Sequence, residues 1–215
     1  MYKLIALDMD GTLLRDDKTV SPAVKEAIAK AKAKGVKVVL STGRPINGIR
    51  KYLQELNLLE DGDIASSFNG GLVLETKTEN VIYQCHMPKE SFEELYNLSQ
   101  ELNIHIHALT KDAVLTPNKD ISKYSVLEAF MNDIYLYYED SSKLVGSEDY
   151  IKIMFIDHPE KLDKAIEKLP SWLYEKYNVV RSAEHFLEIL PKEVDKGLGL
   201  VMLAEKLGID IKETI

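Results

Sequence analysis

The chain has 215 residues, 45% hydrophobic and 29% charged, with a formal charge of −8. That length allows one sizeable core or two small domains, and the acidic balance argues against a general nucleic-acid binder, which needs a basic face. No apolar run approaches the roughly 18 residues of a membrane-spanning helix, and MYKLIALD reaches an acid too early for a secretory leader, so the expectation is a cytoplasmic protein with no nucleic-acid or membrane partner.

The first third alternates strand and helix signals. Leu4 to Leu7 reads as a short apolar strand. Ser21-Pro22 opens a helix over AVKEAIAKAKAK, with cap, first-turn proline and a terminal glycine at Gly35. Val36 to Leu40 is a second strand, Pro45 to Leu56 a second helix, and Ile64 to Phe68 a third strand. Continuous apolar strands between amphipathic helices imply parallel strands covered on both faces, the start of an open α/β sheet.

After Gly71 the rhythm changes. LVLET and NVIYQCHM read as paired strands, followed by a helix over 88–103 and the strands HIHAL and AVLTP. A mixed region covers 120–145, where YLYY suits a strand or a core helix. Then come a strand over 150–157, a helix over 159–169 stopped by Pro170, and a hairpin of VVRS and FLEIL across Ala183-Glu184. Hairpins mixed with helices suggest an α+β unit over 84–190, inserted into an α/β core formed by 1–83 and 191–215. A last helix, 196–207, returns to the core and ends at Gly208.

KLIALDMDGTLLRDD places two acids one residue apart at the end of the first strand. In open α/β sheets the reactive site lies beyond the carboxyl ends of the strands. Asp8 and Asp10 both leave the strand there, with Gly11 to permit a turn and Thr12 to pin it. Two close carboxylates need a cation between them, or one must hold a proton. Mg²⁺ suits a small all-oxygen site with phosphate as a further ligand. Asp8 is positioned to attack phosphorus and Asp10 to manage the proton.

Other segments reach the same edge. The second strand ends in Ser41, Thr42, Gly43 and Arg44, a hydroxyl and backbone N–H groups ahead of a helix, where phosphate oxygens are favoured. The third ends in SSFNGG, bringing Asn69 and Gly70. Lys196 opens the last helix, where a cation can neutralise the nucleophile and a transferring phosphoryl group. Each also has a plainer reading: a loop or calcium-like turn for DxDG, a helix cap for Thr42, a surface ion pair for Arg44, a turn for Asn69, a solvated lysine for Lys196.

In these motifs the chain resembles the haloacid dehalogenase-like (HAD) hydrolase superfamily, and within it the Cof-type sugar-phosphate phosphatases. DMDGTLL is similar to the first motif, STGRP to the second, FNGG to the family's SNG segment, and VVRSAEHFLEILPKEVDKGLGL to the end of the cap and the third motif. The resemblance implies Asp8 as nucleophile and Mg²⁺ ligand. It implies Asp10 as general acid/base, binding Mg²⁺ through its main-chain carbonyl. Thr42, Gly43 and Arg44 with Asn69 and Gly70 are implied around phosphate and substrate, and Lys196 as the motif lysine. The middle block resembles a large cap that closes over the site and selects a small phosphorylated metabolite, with Glu188 orienting a sugar hydroxyl or simply pairing with a lysine.

One departure stands out. The family's GDxxND loop, which completes its Mg²⁺ site, is absent, and IDIKETI follows the last helix. The expectation is an incomplete chain with reduced or absent turnover. Its last helix would lack sheet neighbours, so that exposed apolar surface drives self-association.

Some residues tempt. His105 and His107 share a face in HIHAL, but no third metal ligand is near in sequence. Cys85 and His86 lack a positioned base. For His105 and His107 the expectation is cap surface or substrate contact; Glu184 and His185 lie with Glu188 on the last hairpin, and Lys111, Lys119 and Lys123 suit an anionic substrate. Two readings compete with a phosphatase: a phosphomutase or phosphotransferase using the same aspartate, and a non-catalytic binder of phosphorylated ligands.

Overall fold

The computed structural model describes residues 1–215. In chain order the elements are β1 (Leu4–Asp8), α1 (Pro22–Ala33), β2 (Lys37–Ser41), α2 (Arg50–Glu55), β3 (Ile64–Ser67), β4 (Leu72–Glu75), β5 (Val81–Gln84), α3 (Ser91–Glu101), β6 (His105–Leu109), β7 (Ala113–Thr116), α4 (Lys123–Asn132), β8 (Tyr135–Tyr138), α5 (Ser141–Leu144), β9 (Lys152–Ile156), α6 (Pro159–Ile166), α7 (Ser171–Lys176), β10 (Tyr177–Ala183), β11 (Phe186–Pro191) and α8 (Lys196–Lys206). The chain divides into two compact units, Met1–Gln84 with Val194–Ile215, and Cys85–Glu193.

The first unit is an α/β layer on a five-stranded sheet of order β1-β2-β3-β4-β5. The first three strands run parallel, and β4 and β5 add on antiparallel. Helix α1 starts where Ser21 accepts from the Val24 N–H at 3.2 Å, a cap worth about 1 kcal/mol. It stops at Gly35, which takes φ +78°. The core includes Leu4, Val39, Ile64, Val73 and Leu203.

Three expectations change. The helix expected over 45–56 is a 3-10 turn, Asn47–Ile49, running into the short α2; Asn-Gly at 47–48 is poor helix material. Pro170, read as a stop, also caps the unforeseen α7. Helix α8, expected to lack sheet neighbours, packs on β3, β4 and β5, and of its apolar side chains only Val201 is exposed. The expected drive to self-association through α8 is therefore not there. Beyond α8, Ile215 accepts from the Ala6 N–H at 2.7 Å and donates to the Leu4 carbonyl at 3.1 Å, lying along the free side of β1.

The second unit holds a six-stranded sheet of order β10-β11-β9-β6-β7-β8. All pairs are antiparallel except β7–β8, whose parallel pairing requires the crossover through α4. One face buries Ile106, Ile153, Phe155, Leu187 and Ile189 in a cluster with Phe92 and Leu95 of α3 and Leu162 of α6. The other face, under α4, buries polar groups among the apolar Leu109, Met154 and Leu190. Lys152, 1% exposed, sits 3.2 Å from Glu188 and 3.7 Å from Glu128. Burial pulls the Lys152 ammonium down, but the two carboxylates, Glu188 first, outweigh it and hold the lysine charged.

His107 lies on this face, fully buried, with Nδ1 3.1 Å from Ser125 Oγ and Nε2 without a partner. Burial, aided by the Lys152 charge, pushes it down to about 3. An unfolded histidine protonates below about 6.5. The stability that neutral His107 provides is thus complete above that pH and drains away as pH falls towards 3, with about 2 kcal/mol gone by pH 5. Unfolding free energies from urea titrations at pH 7 and pH 5 should differ by that much more in the unaltered protein than in His107→Gln. Equal pH slopes would contradict a neutral buried imidazole.

Candidate active site

The parallel register Asp8↔Ser41 and Ser41↔Ser66 aligns the carboxyl ends of β1, β2 and β3. The chain turns tightly after Asp8. Leu13 donates to the Asp8 carbonyl at 3.1 Å and Leu14 to Met9 at 2.9 Å, with Gly11 at φ +78° between them. The turn returns Thr12 to the strand end, where its hydroxyl donates to Asp8 Oδ2 at 3.1 Å. The other oxygen, Oδ1, forms an ion pair with the Lys196 ammonium.

Lys196 is the first residue of α8, capped by Asp195, whose Oδ1 accepts from the Leu198 N–H at 2.8 Å. A cation at a helix N-terminus has the wrong sign for the helix dipole, by about 0.3–1 kcal/mol. The Asp8 carboxylate compensates.

Asp10 is held differently. Arg44 grips it with two bonds, Nε to Oδ2 at 2.9 Å and Nη2 to Oδ1 at 2.7 Å, and Lys18 adds a third at 2.8 Å. Partial burial alone would raise the Asp10 pKa; the Arg44 and Lys18 hydrogen bonds and charges outweigh it and hold the carboxyl below its usual range. Each acid of the pair therefore has its own cation.

The second and third strand ends supply backbone scaffolding. Thr42, 3% exposed, has its N–H on the Ser66 carbonyl and its carbonyl on the Asn69 N–H, both at 2.9 Å. Its hydroxyl accepts from the Arg44 N–H at 3.2 Å, so here it pins the turn that aims Arg44. Phe68, Asn69 and Gly70 all have positive φ, at 50°, 56° and 91°. Asparagine and glycine tolerate this; a buried phenylalanine rarely does, at a cost of roughly 1–3 kcal/mol. The turn brings the Asn69 amide against Gly43, where an added Cβ would stand 3.0 Å from Asn69 Oδ1.

Gly70 works by having no side chain. A Cβ there would lie 2.3 Å from the Asp195 carbonyl, and one on Gly199 would lie 2.6 Å from the Gly70 Cα. The two glycines let the start of α8 touch the sheet-end loop backbone to backbone.

The structure thus joins Asp8 to Lys196, Asp10 to Arg44, and Thr42 and Gly43 to Asn69. Glu188 belongs to the other unit, in the buried group with Lys152 and Glu128, which is the lysine-paired role its sequence left open. Lys18 escaped sequence reasoning. It sits in an exposed loop closed by the Asp17–Thr19 turn, and its carbonyl accepts from the Tyr52 hydroxyl at 3.1 Å, a placement no local pattern encodes.

No cluster of three or more His, Cys, Asp or Glu side chains gathers to hold a metal ion. Mg²⁺ asks for less: one or two carboxylates, completed by water and substrate phosphate. Asp8, with its side chain 39% exposed and one partner on each oxygen, retains free lone pairs and meets that minimum.

Comparison with known proteins gives a consistent result. The family described as haloacid dehalogenase-like hydrolase matches residues 5–215. A Bacillus subtilis (strain 168) protein named "Putative phosphatase YxeH" is 43% identical over 215 residues, all of this chain and 80% of that protein. The 5-amino-6-(5-phospho-D-ribitylamino)uracil phosphatase YitU of the same organism is 26% identical, over 96% of this chain and 76% of its own length. Among solved structures, a haloacid dehalogenase-like hydrolase from Bacteroides thetaiotaomicron superposes with a TM-score of 0.85 at 30% identity, covering 100% of this chain and 80% of that one.

Proposed function

Since this chain belongs to the haloacid dehalogenase-like hydrolase family, we infer that it is a Mg²⁺-dependent phosphatase of small phosphorylated metabolites, working through a phosphorylated Asp8. It is an enzyme of the phosphoric monoester hydrolase type. The observation that carries the reading is the pair of separately countered acids at the strand ends, Asp8 with Lys196 and Asp10 with Arg44 and Lys18.

The roles follow from the partners. Lys196 pairs with one oxygen of the attacking Asp8 carboxylate, and the Thr12 hydroxyl on the other fixes its orientation. An Asp8 oxygen forms a bond to phosphorus as the bond from phosphorus to the leaving oxygen breaks. That oxygen takes a proton from Asp10. Water then attacks the phosphoryl-Asp8, gives its proton to Asp10, and releases phosphate and free Asp8. As found, Asp10 is a carboxylate held by two cations, the form suited to the second half. An arriving phosphate dianion competes for Arg44 and Lys18, which loosens that grip and lets Asp10 carry a proton for the first half. Mg²⁺, held by Asp8 with the Asp10 carbonyl, would offset phosphoryl charge.

Sugar phosphates and related phosphorylated cofactors are the proposed substrates, with selection assigned to the Cys85–Glu193 unit. The test is a panel of phosphate esters assayed with and without Mg²⁺. Release of inorganic phosphate, dependent on Mg²⁺ and slow for a metal held by one carboxylate, is expected. Transfer of the phosphoryl group to an acceptor would point to a transferase, and tight binding without turnover to a ligand-binding protein.

A further inference from the structure

The second unit ends its sheet in two contrasting ways. At one edge, β10 carries a bulge between Arg181 and Ala183 and a charged side chain, Arg181, paired with Asp163. Bulges and edge charges are the usual protection against strand-to-strand pairing. At the other edge, β8 reads Tyr-Leu-Tyr-Tyr, with no charge, proline or bulge. Tyr135, Tyr137 and Tyr138 are 69%, 49% and 40% exposed, and the rings of Tyr135 and Tyr137 stack at 5.8 Å.

Helix α4, which packs beside this edge on β7 and β8, is inside out. Its buried side is Ser125, Glu128, Ala129 and Asn132. Its exposed side carries Val126, Met131 and Phe130, the last 84% exposed. Val126 and Phe130, one turn apart, line one flank of the helix and Met131 the other, an apolar exterior that solvent does not favour.

We propose that β8 pairs antiparallel with β8 of a second copy of this chain, joining two six-stranded sheets across a two-fold axis at Tyr137. The backbone selects this occupant. The Tyr135 and Glu139 N–H groups point inward, to the carbonyls of Asp112 and Thr116. By alternation Leu136 and Tyr138 turn their N–H and C=O groups outward. In an antiparallel pair centred on Tyr137, Leu136 faces Tyr138 of the other copy and Tyr138 faces its Leu136. Both are then hydrogen-bonded pairs, and Tyr137 meets its own counterpart at the non-bonded, closer position. The strand is complementary to itself, as a two-fold contact requires.

The size also fits. Weighted by exposure, the three tyrosines and Phe130 present roughly 500 Å² per copy. Over two copies that is about 1,000 Å², the size of a weak, transient interface. The dimer is therefore reversible and concentration-dependent. Each copy carries a formal charge of −8, yet β8 is uncharged, so added salt tightens the dimer by screening the remainder.

Sedimentation velocity of the full chain across the micromolar range tests this. A reversible monomer–dimer equilibrium is expected. Tyr137→Lys sets two ammonium groups face to face and weakens it at least about tenfold. An equimolar mixture of Tyr137→Lys and Tyr137→Glu restores dimers that neither forms alone. Should Tyr137→Lys fail to fold, Tyr138→Pro removes an outward N–H while sparing the pairing with β7, and must also abolish the dimer. A chain that stays monomeric throughout overturns the proposal, and so does a dimer indifferent to these variants. A monomer that instead binds phosphatidylcholine vesicles assigns the face to lipid and overturns it equally.

Discussion

In the Asp8→Asn variant, phosphate release from a small phosphate ester is expected to fall by roughly a thousandfold or more, because the amide oxygen cannot replace an ionised nucleophile. The fold should be nearly unaffected. Asparagine keeps an acceptor for the Thr12 hydroxyl, and the Lys196 ammonium left without its counter-charge is 41% exposed, so water takes over. Exposed pairs of this kind contribute about 1 kcal/mol or less. Asp10→Asn should also be severe, but least so for esters whose leaving group needs no proton. Rates, melting temperature and substrate affinity together separate chemistry from folding. Mapping of a trapped phosphoryl group to any side chain other than Asp8 would remove the basis of the assignment.

The largest stability effect is expected in the Cys85–Glu193 unit. Lys152→Met leaves Glu128 and Glu188 in a buried pocket without their ammonium. Removing one partner of a buried ionic group typically costs about 3–5 kcal/mol, a large share of the roughly 5–15 kcal/mol that holds a domain together. Replacing all three, as Lys152→Met with Glu128→Leu and Glu188→Leu, should restore most of the loss, because no charge is then stranded. Urea unfolding of the three proteins gives the answer. A single variant that loses less than about 1 kcal/mol would show that the carboxylates find other partners or take up protons at little cost.

How far the sequence could be read depended on whether the information was local. The α/β start was legible in the apolar runs of β1 and β2 and the capped helix between them, where Ser21, Pro22 and Gly35 act within a few residues of themselves. Asp8, Asp10 and Lys196 were legible as candidates because each leaves a strand or opens a helix at one sheet edge. What stayed hidden needed contacts between distant segments. Lys152 reads as one polar residue in an apolar strand, and only the register of β9 with β11 and the packing of α4 bring two carboxylates to it. The sequence assigned the Thr42 hydroxyl to phosphate; that it also accepts from the Arg44 N–H emerges only in the fold. Gly70 was read as part of a binding loop; its role as the place where two backbones meet appears only with α8 in position. Helix α7 was missed because a proline can end one helix and begin the next.

The meeting of Gly70 with Gly199 has a bearing on how such a centre tolerates change. The start of α8, and with it the Lys196 ammonium beside Asp8, is seated where main chain rests on main chain. Substitutions on the outward face of α8 can therefore accumulate without being transmitted to Lys196, whereas the two glycines have almost no freedom to vary, alone or together.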